Sequence, residues 1–117
     1  MKKTYFGFSL ADSMFDAVGN CLIDRQVLSE DEAKQRISAG VVSCLNPSHL
    51  TTIEAMGSRY GISVEIPEKA PIVSLNHGDA VLVMGVRGLP RLEGESHHYT
   101  EEQVAKATFK FTLYSVV

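Results

Sequence analysis

The sequence is poor in features that mark several large classes of protein. It has two cysteines, Cys21 and Cys44, which show no metal-ligand spacing and lie in apolar stretches, so we expect buried free thiols. No apolar run approaches the roughly 18 residues of a membrane span, and MKKTYFGFSL lacks the apolar core of a signal peptide. These absences predict a soluble, cytoplasmic protein with no membrane partner.

Positively charged residues are also fewer than negatively charged ones. Lysine and arginine total 11 against 14 aspartates and glutamates, which gives a formal net charge of −3. A protein that coats long nucleic acid carries a basic face, so this balance argues against such a partner. A small concave anion site needs only a few donors and is compatible with the composition.

Motifs that hold metals or cofactors are missing as well. The chain has no phosphate-binding loop ending in lysine and serine or threonine, no dinucleotide-binding glycine pattern and no serine nucleophile elbow. His97 and His98 are adjacent, unlike paired ligands on a helix, and His77 lies in turn-forming sequence. The sequence therefore predicts neither a metal nor a cofactor.

The patterns that are present predict one domain spanning residues 1–117, with an α/β (α+β) fold. Serine and threonine capping boxes open helices at Ser29 and Thr100, and Asn46 begins a helix that ends at Gly61. Strands are expected at 4–8, 21–28, 41–45, 62–66, 80–86 and 109–117. We expect a mixed sheet of five to six strands with helices packed on its faces.

His49 is the first candidate for chemistry. If Asn46 is the N-cap, Pro47 and Ser48 fill the first two helical positions and His49 the third. Free N–H groups of a first turn attract anions, so Asn46 and Ser48 are candidate ligand-binding residues. An arriving phosphate would favour a protonated His49, which suits a general acid. The alternative is a surface histidine that bonds locally.

The second candidate region is the loop GVRGLPRLEG, residues 85–94, which follows the most apolar strand. Arg87 and Arg91 offer planar forks for phosphate oxygens, and Glu93 could orient an arginine or a histidine. The alternative is a solvated turn with an ion pair. Near the amino terminus, Ser9 and Ser13 are candidates to contact a ribose or base, and the alternative is that they cap a helix.

The order of these segments resembles one family. VVSCLNPSHLTT is similar to the histidine segment of the anti-CRISPR ring nucleases of viruses and prophages, GVRGLPRLEGE to their arginine loop, and YFGFSLADSMF to their amino-terminal segment. These enzymes degrade cyclic tetra-adenylate, the second messenger of type III CRISPR immunity. The resemblance covers nearly the whole chain in order, and its histidine segment is the most specific part.

The resemblance implies a metal-independent mechanism. His49 would be the acid that protonates the leaving oxygen, Arg91 would stabilise the phosphoryl oxygens with Arg87 as the competing choice, and Glu93 would hold one of these groups. Ser9 and Ser13 would lie at the ligand. A cyclic ligand with internal two-fold symmetry favours a homodimer or a higher homo-oligomer.

Two further functions stay open. A sponge would sequester a cyclic nucleotide or cyclic ADP-ribose without cutting it, and would need donors but no titrating acid. A structural or interaction protein would need no small ligand. Binding and turnover with a panel of cyclic nucleotides separate the three.

Overall fold

Five strands form one mixed sheet in the structure, a computed structural model that describes residues 2–88 and 100–117. The strand order is β2-β5-β4-β1-β3. Strand β1 lies parallel to β3 and β4, whereas β5 lies antiparallel to β4 and β2. The strands are β1 (Thr4–Gly7), β2 (Ile23–Leu28), β3 (Val42–Ser43), β4 (Ala80–Arg87) and β5 (Thr108–Val116).

Two of the three helices begin where the sequence signals place them, whereas the second begins at Leu50 rather than at Pro47. Helix α1 (Glu30–Ser38) and helix α3 (Glu101–Lys106) each carry a complete capping box, from Ser29 and Thr100. Helix α2 (Leu50–Tyr60) follows a 3-10 turn, Pro47–His49, which Asn46 caps. Gly61 ends α2 with a φ of 67°, a left-handed conformation that costs glycine little.

The two faces of the sheet are covered differently. The helices pack on one face, where the main core includes Phe6, Leu82 and Phe111. A second cluster on the other face surrounds Tyr5 and Val81, and it is covered by the 3-10 turn Asp12–Phe15 and by residues 73–75. The five-stranded mixed sheet and its helices confirm the expected α+β fold.

One strand prediction is wrong. Residues 62–66 alternate, with Ile62, Val64 and Ile66 half-buried against the main core, but within the described residues they pair with no strand. The chain turns at Gly61 and runs back across α2, where a Cβ on Gly57 would lie 2.6 Å from the Ile62 carbonyl oxygen. The alternation of apolar and polar residues at 62–66 therefore comes from an extended segment that is not a strand. Its apolar side chains face the core because helix α2 covers that side of the segment.

Arg59 connects α2 to the end of α3 by hydrogen bonds. Its guanidinium donates to the carbonyl oxygens of Val104 and Ala107, at 3.1 and 2.9 Å, and also to that of Ala105. These carbonyls lie in the last turn of α3 and just after it, and the Val104 oxygen also accepts from the Ala107 N–H. The arginine therefore acts as a C-terminal cap. The contact fixes where the chain continues after residues 89–99.

The two cysteines are free thiols. Cys21 and Cys44 are both free and half-buried, which confirms the free thiols. Burial raises the pKa of the Cys44 thiol. No helix among residues 2–88 and 100–117 is both long and apolar enough to span a membrane.

Candidate functional site

The carboxyl ends of three parallel strands bring most of the candidate residues to one edge of the sheet. Because β1 lies between β3 and β4 and parallel to both, the segments that follow them leave the same edge. Ser9 follows β1, the turn Asn46–His49 follows β3, and Arg87 ends β4. Ligand sites of sheets with parallel strands favour such an edge.

His49 is held at this edge by its own turn and by a neighbouring ring. The backbone N–H of Asn46 donates to Nδ1 of His49 at 3.1 Å. The ring of Phe8, just beyond β1, meets the imidazole edge-on, with centroids 4.5 Å apart and planes at 60°. The sequence analysis placed His49 in the first turn, as the structure does, but not against Phe8.

These contacts fix the chemistry of the imidazole. A backbone N–H can only donate, so Nδ1 must present its lone pair and the proton of the neutral ring sits on Nε2. Nε2 has no hydrogen-bond partner within the described part of the chain. Partial burial lowers the pKa of His49 below 6.5. The Asn46 hydrogen bond and the partial burial both disfavour the cationic form of the ring.

Asn46 already engages the first-turn N–H groups. Its side-chain oxygen accepts from the Ser48 N–H at 3.0 Å and from the Ser48 hydroxyl, and its carbonyl accepts from the His49 N–H at 2.9 Å. Pro47 has no N–H. An anion binding to these backbone groups would have to displace Asn46, so the groups left for a ligand are the Asn46 amide nitrogen and His49 Nε2.

Arg87 lines a basic hollow on the sheet face away from the helices. In the register of the β4–β5 pair, Gly85 lies opposite Lys110 and Arg87 opposite Thr108. Glycine leaves the space beside Arg87 and Lys110 without a side chain, and a cavity of about 380 Å³ opens there. Arg87 and Lys110 form no ion pair with other described residues. An anionic group would fit this hollow.

Lys110 is the residue that sequence analysis missed. It belongs to FKFT, the strictly alternating start of the strand expected at 109–117. Alternation fixes the face of a strand but not its neighbour, and the pairing of Lys110 with Gly85 supplies the missing information.

The remaining predicted residues separate into two groups. Ser9 is exposed two residues beyond β1, whereas Ser13 is exposed in the 3-10 turn over the second cluster; neither side chain forms a hydrogen bond with the described residues. Arg91 and Glu93 lie outside the described residues, as do His97 and His98. No hydrogen bond joins His49 to Arg87 within the described ranges.

Metal binding has no visible basis in the part of the chain that is described. Across residues 2–88 and 100–117, no three histidine, cysteine, aspartate or glutamate side chains come together as a metal site. The described side chains at this edge supply imidazole, guanidinium, ammonium and hydroxyl groups.

Comparison with known proteins identifies the fold. No protein-family model matches the chain, and no curated protein sequence matches it. Among solved structures, it is similar to B116 of Sulfolobus turreted icosahedral virus, with a TM-score of 0.68 and 16% identity over 97% of this chain and 98% of that one. A viral protein thus has the same fold along almost its whole length.

Proposed function

We propose that this protein is a metal-independent ring nuclease that binds and cleaves a cyclic oligoadenylate, with cyclic tetra-adenylate as the expected substrate, and so counters type III CRISPR defence. The observation that carries the proposal is the imidazole of His49, whose Nε2 has no hydrogen-bond partner among the described residues, at the edge where β1, β3 and β4 end. The basic hollow of Arg87 and Lys110 lies at the same edge but on the opposite face of the sheet from the Phe8–His49 pair. The fold shared with a viral protein and the resemblance of the histidine segment support it.

The chemistry requires geometry rather than a metal. Each 2′-hydroxyl of a 3′–5′ linked ring lies beside its own phosphodiester, and holding it in line with the leaving 5′-oxygen favours attack. The 2′-oxygen bonds to phosphorus, the bond to the 5′-oxygen breaks, the 2′-hydroxyl proton passes to water and the 5′-oxygen gains a proton. The product is a linear chain with a 2′,3′-cyclic phosphate and a 5′-hydroxyl.

Each candidate residue has a role in this proposal. His49 donates from Nε2 to the leaving oxygen, and Arg91 or Arg87 stabilises the charge on the phosphoryl oxygens. Glu93 orients one of these groups. The other candidates contact the ligand and are Ser9, Ser13, Asn46 and Ser48. A homodimer would present one site from each subunit to the two halves of the ring.

The alternative is a sponge that binds the ring, or cyclic ADP-ribose, without cutting it. One observation favours it: the Asn46 N–H occupies Nδ1 of His49, and partial burial lowers the pKa of His49, so both disfavour the cationic acid that cleavage would use. The basic hollow serves binding and cleavage equally.

Incubation of the purified protein with cyclic tetra-adenylate in the presence of EDTA tests the proposal. We expect linear products by chromatography and mass spectrometry, and we expect His49→Ala to bind the ring but lose cleavage. His77→Ala is the matched control, because His77 lies in an exposed turn and contacts the Val117 carbonyl. Tight binding with no turnover over hours would favour the sponge. Failure to bind any cyclic oligoadenylate or cyclic ADP-ribose isomer would refute both.

A further inference from the structure

His49 has an environment that selects one of its protonation states. The Asn46 N–H points at Nδ1 from 3.1 Å, so a second ring proton on Nδ1 would face another N–H. Forming the imidazolium would require the ring to turn away and leave the Asn46 N–H without a partner. Losing such a hydrogen bond while burying a polar group is unfavourable.

The Phe8 ring hinders rotation of the His49 imidazole and disfavours a positive charge on it. Its edge-on contact at 4.5 Å occupies the space next to the imidazole, which is half-buried. Among the described residues, burial is the cause that lowers the pKa of His49, and no charge effect from the Asp12 carboxylate of the turn after β1 is seen. Among the described groups, no carboxylate stabilises a cation at this position.

We propose that the Asn46 N–H and the Phe8 ring hold His49 as the neutral Nε2–H imidazole, and that this neutral donor, rather than an imidazolium acid, is the form that faces the ligand. Phe8 is thus a positioning residue that acts through His49. The ligand-bound half of this inference rests on the proposed function; the ligand-free half does not.

The assignment changes what His49 contributes. A neutral imidazole gives up its Nε2 proton with difficulty, so it stabilises developing charge on the leaving oxygen by a hydrogen bond. Water then supplies the proton that the 5′-oxygen gains, and the atoms balance without a change in the charge of His49. The same donor would serve a protein that binds the ring and cuts it slowly.

Nitrogen NMR of the free protein tests the first half. In long-range proton–nitrogen spectra of ¹⁵N-labelled protein at pH 7.5, we expect Nε2 to be protonated and Nδ1 bare. We expect Phe8→Leu to raise the pKa of His49 toward its ordinary value and to mix the two tautomers, whereas Phe8→Tyr preserves the parent behaviour. Phe15→Leu, the same change in the second cluster, is the control and should leave His49 unaltered.

A ring that cannot react tests the second half. Cyclic tetra-adenylate built from 2′-deoxynucleotides has no attacking hydroxyl, so its complex can be observed at equilibrium. Neutral Nε2–H His49 in that complex at pH 7.5 supports the inference, and protonation of both nitrogens overturns it. A bare Nε2 in the free protein, or a pKa that Phe8→Leu leaves unchanged, also overturns it. Failure of every cyclic oligoadenylate and cyclic ADP-ribose isomer to bind refutes the proposed function and leaves the free-protein spectra to decide the assignment of His49.

Discussion

Asp79 is a buried charged side chain, 3% exposed, that holds several segments together. One carboxylate oxygen accepts from the Lys3 N–H at 2.9 Å, before β1, and the other accepts from the Asn76 N–H at 3.0 Å. The Asp79 carbonyl accepts from the Val116 N–H, at the end of β5. The residue therefore joins the starts of two strands to the end of a third.

We expect Asp79→Asn to lower the free energy of unfolding by about 1–3 kcal/mol. The amide has one acceptor oxygen for two N–H groups, and its own NH₂ would face one of them. Urea denaturation followed by circular dichroism measures the change. Asp16→Asn, at an exposed position of the turn after β1, removes the same charge and should have almost no effect. Equal losses from both variants would indicate that charge, and not the two hydrogen bonds, is responsible.

For His49, the sequence predicted its place in the secondary structure but not the side chains that surround it. Asn46-Pro47 is a local signal, so it placed His49 in a capped first turn, as observed. The contact with Phe8 joins residues that are distant in sequence, and it depends on β1 lying next to β3. Periodicity within one segment contains no information about such a neighbour. The proposed roles of Arg91 and Glu93 stay predictions, because both lie outside the described residues.

Helix α2 shows how an element can reverse the usual effect of a substitution. In an exposed helix interior, replacing glycine by alanine stabilises by about 1 kcal/mol. At Gly57, however, the added Cβ would lie 2.6 Å from the Ile62 carbonyl oxygen, which belongs to the segment crossing α2. A contact this short forces the backbone of that segment to move.

We therefore expect Gly57→Ala to destabilise the protein, by about 1–3 kcal/mol as in other overpacked sites. Thermal and urea unfolding measure it. Ser58→Ala, at the next position of the same helix and exposed, gains helix propensity without a contact and should be neutral or slightly stabilising. Stabilisation by Gly57→Ala would mean that residues 62–66 do not lie against α2.

Elements with chemical start and stop signals were the ones that the sequence predicted well. The capping boxes of α1 and α3 and the glycine after α2 are short-range features, because their hydrogen bonds join residues three or four positions apart. Strands depend on partners: 41–45 shortens to Val42–Ser43, and 62–66 pairs with none of the described strands. β4 and β5 were predictable because the long apolar run suits a central strand and the alternation suits its half-covered neighbour.

At the scale of the whole molecule, net charge and local charge oppose each other. The chain carries −3 overall, which repels an anionic ring at long range. Arg87 and Lys110 nevertheless line one hollow, and none of the described residues that line it is a carboxylate. Salt screens the attraction between distant charges more than that between charges in contact. A lysine that lines the hollow should therefore affect binding of the ring more than a lysine elsewhere on the surface.

Lys110→Gln and Lys34→Gln separate the two effects, because both variants remove one positive charge from the molecule. Lys34 is exposed on α1, away from the hollow. We expect Lys110→Gln to weaken binding of cyclic tetra-adenylate about tenfold and to reduce the slope of log affinity against log salt by about 1, as losing one phosphate contact does. Lys34→Gln should leave both quantities unchanged. Fluorescence anisotropy with a labelled ring at several salt concentrations measures them. If the two variants weaken binding equally, total charge governs the encounter and the ring does not occupy the hollow beside Gly85; if neither does, the ring binds elsewhere on the molecule.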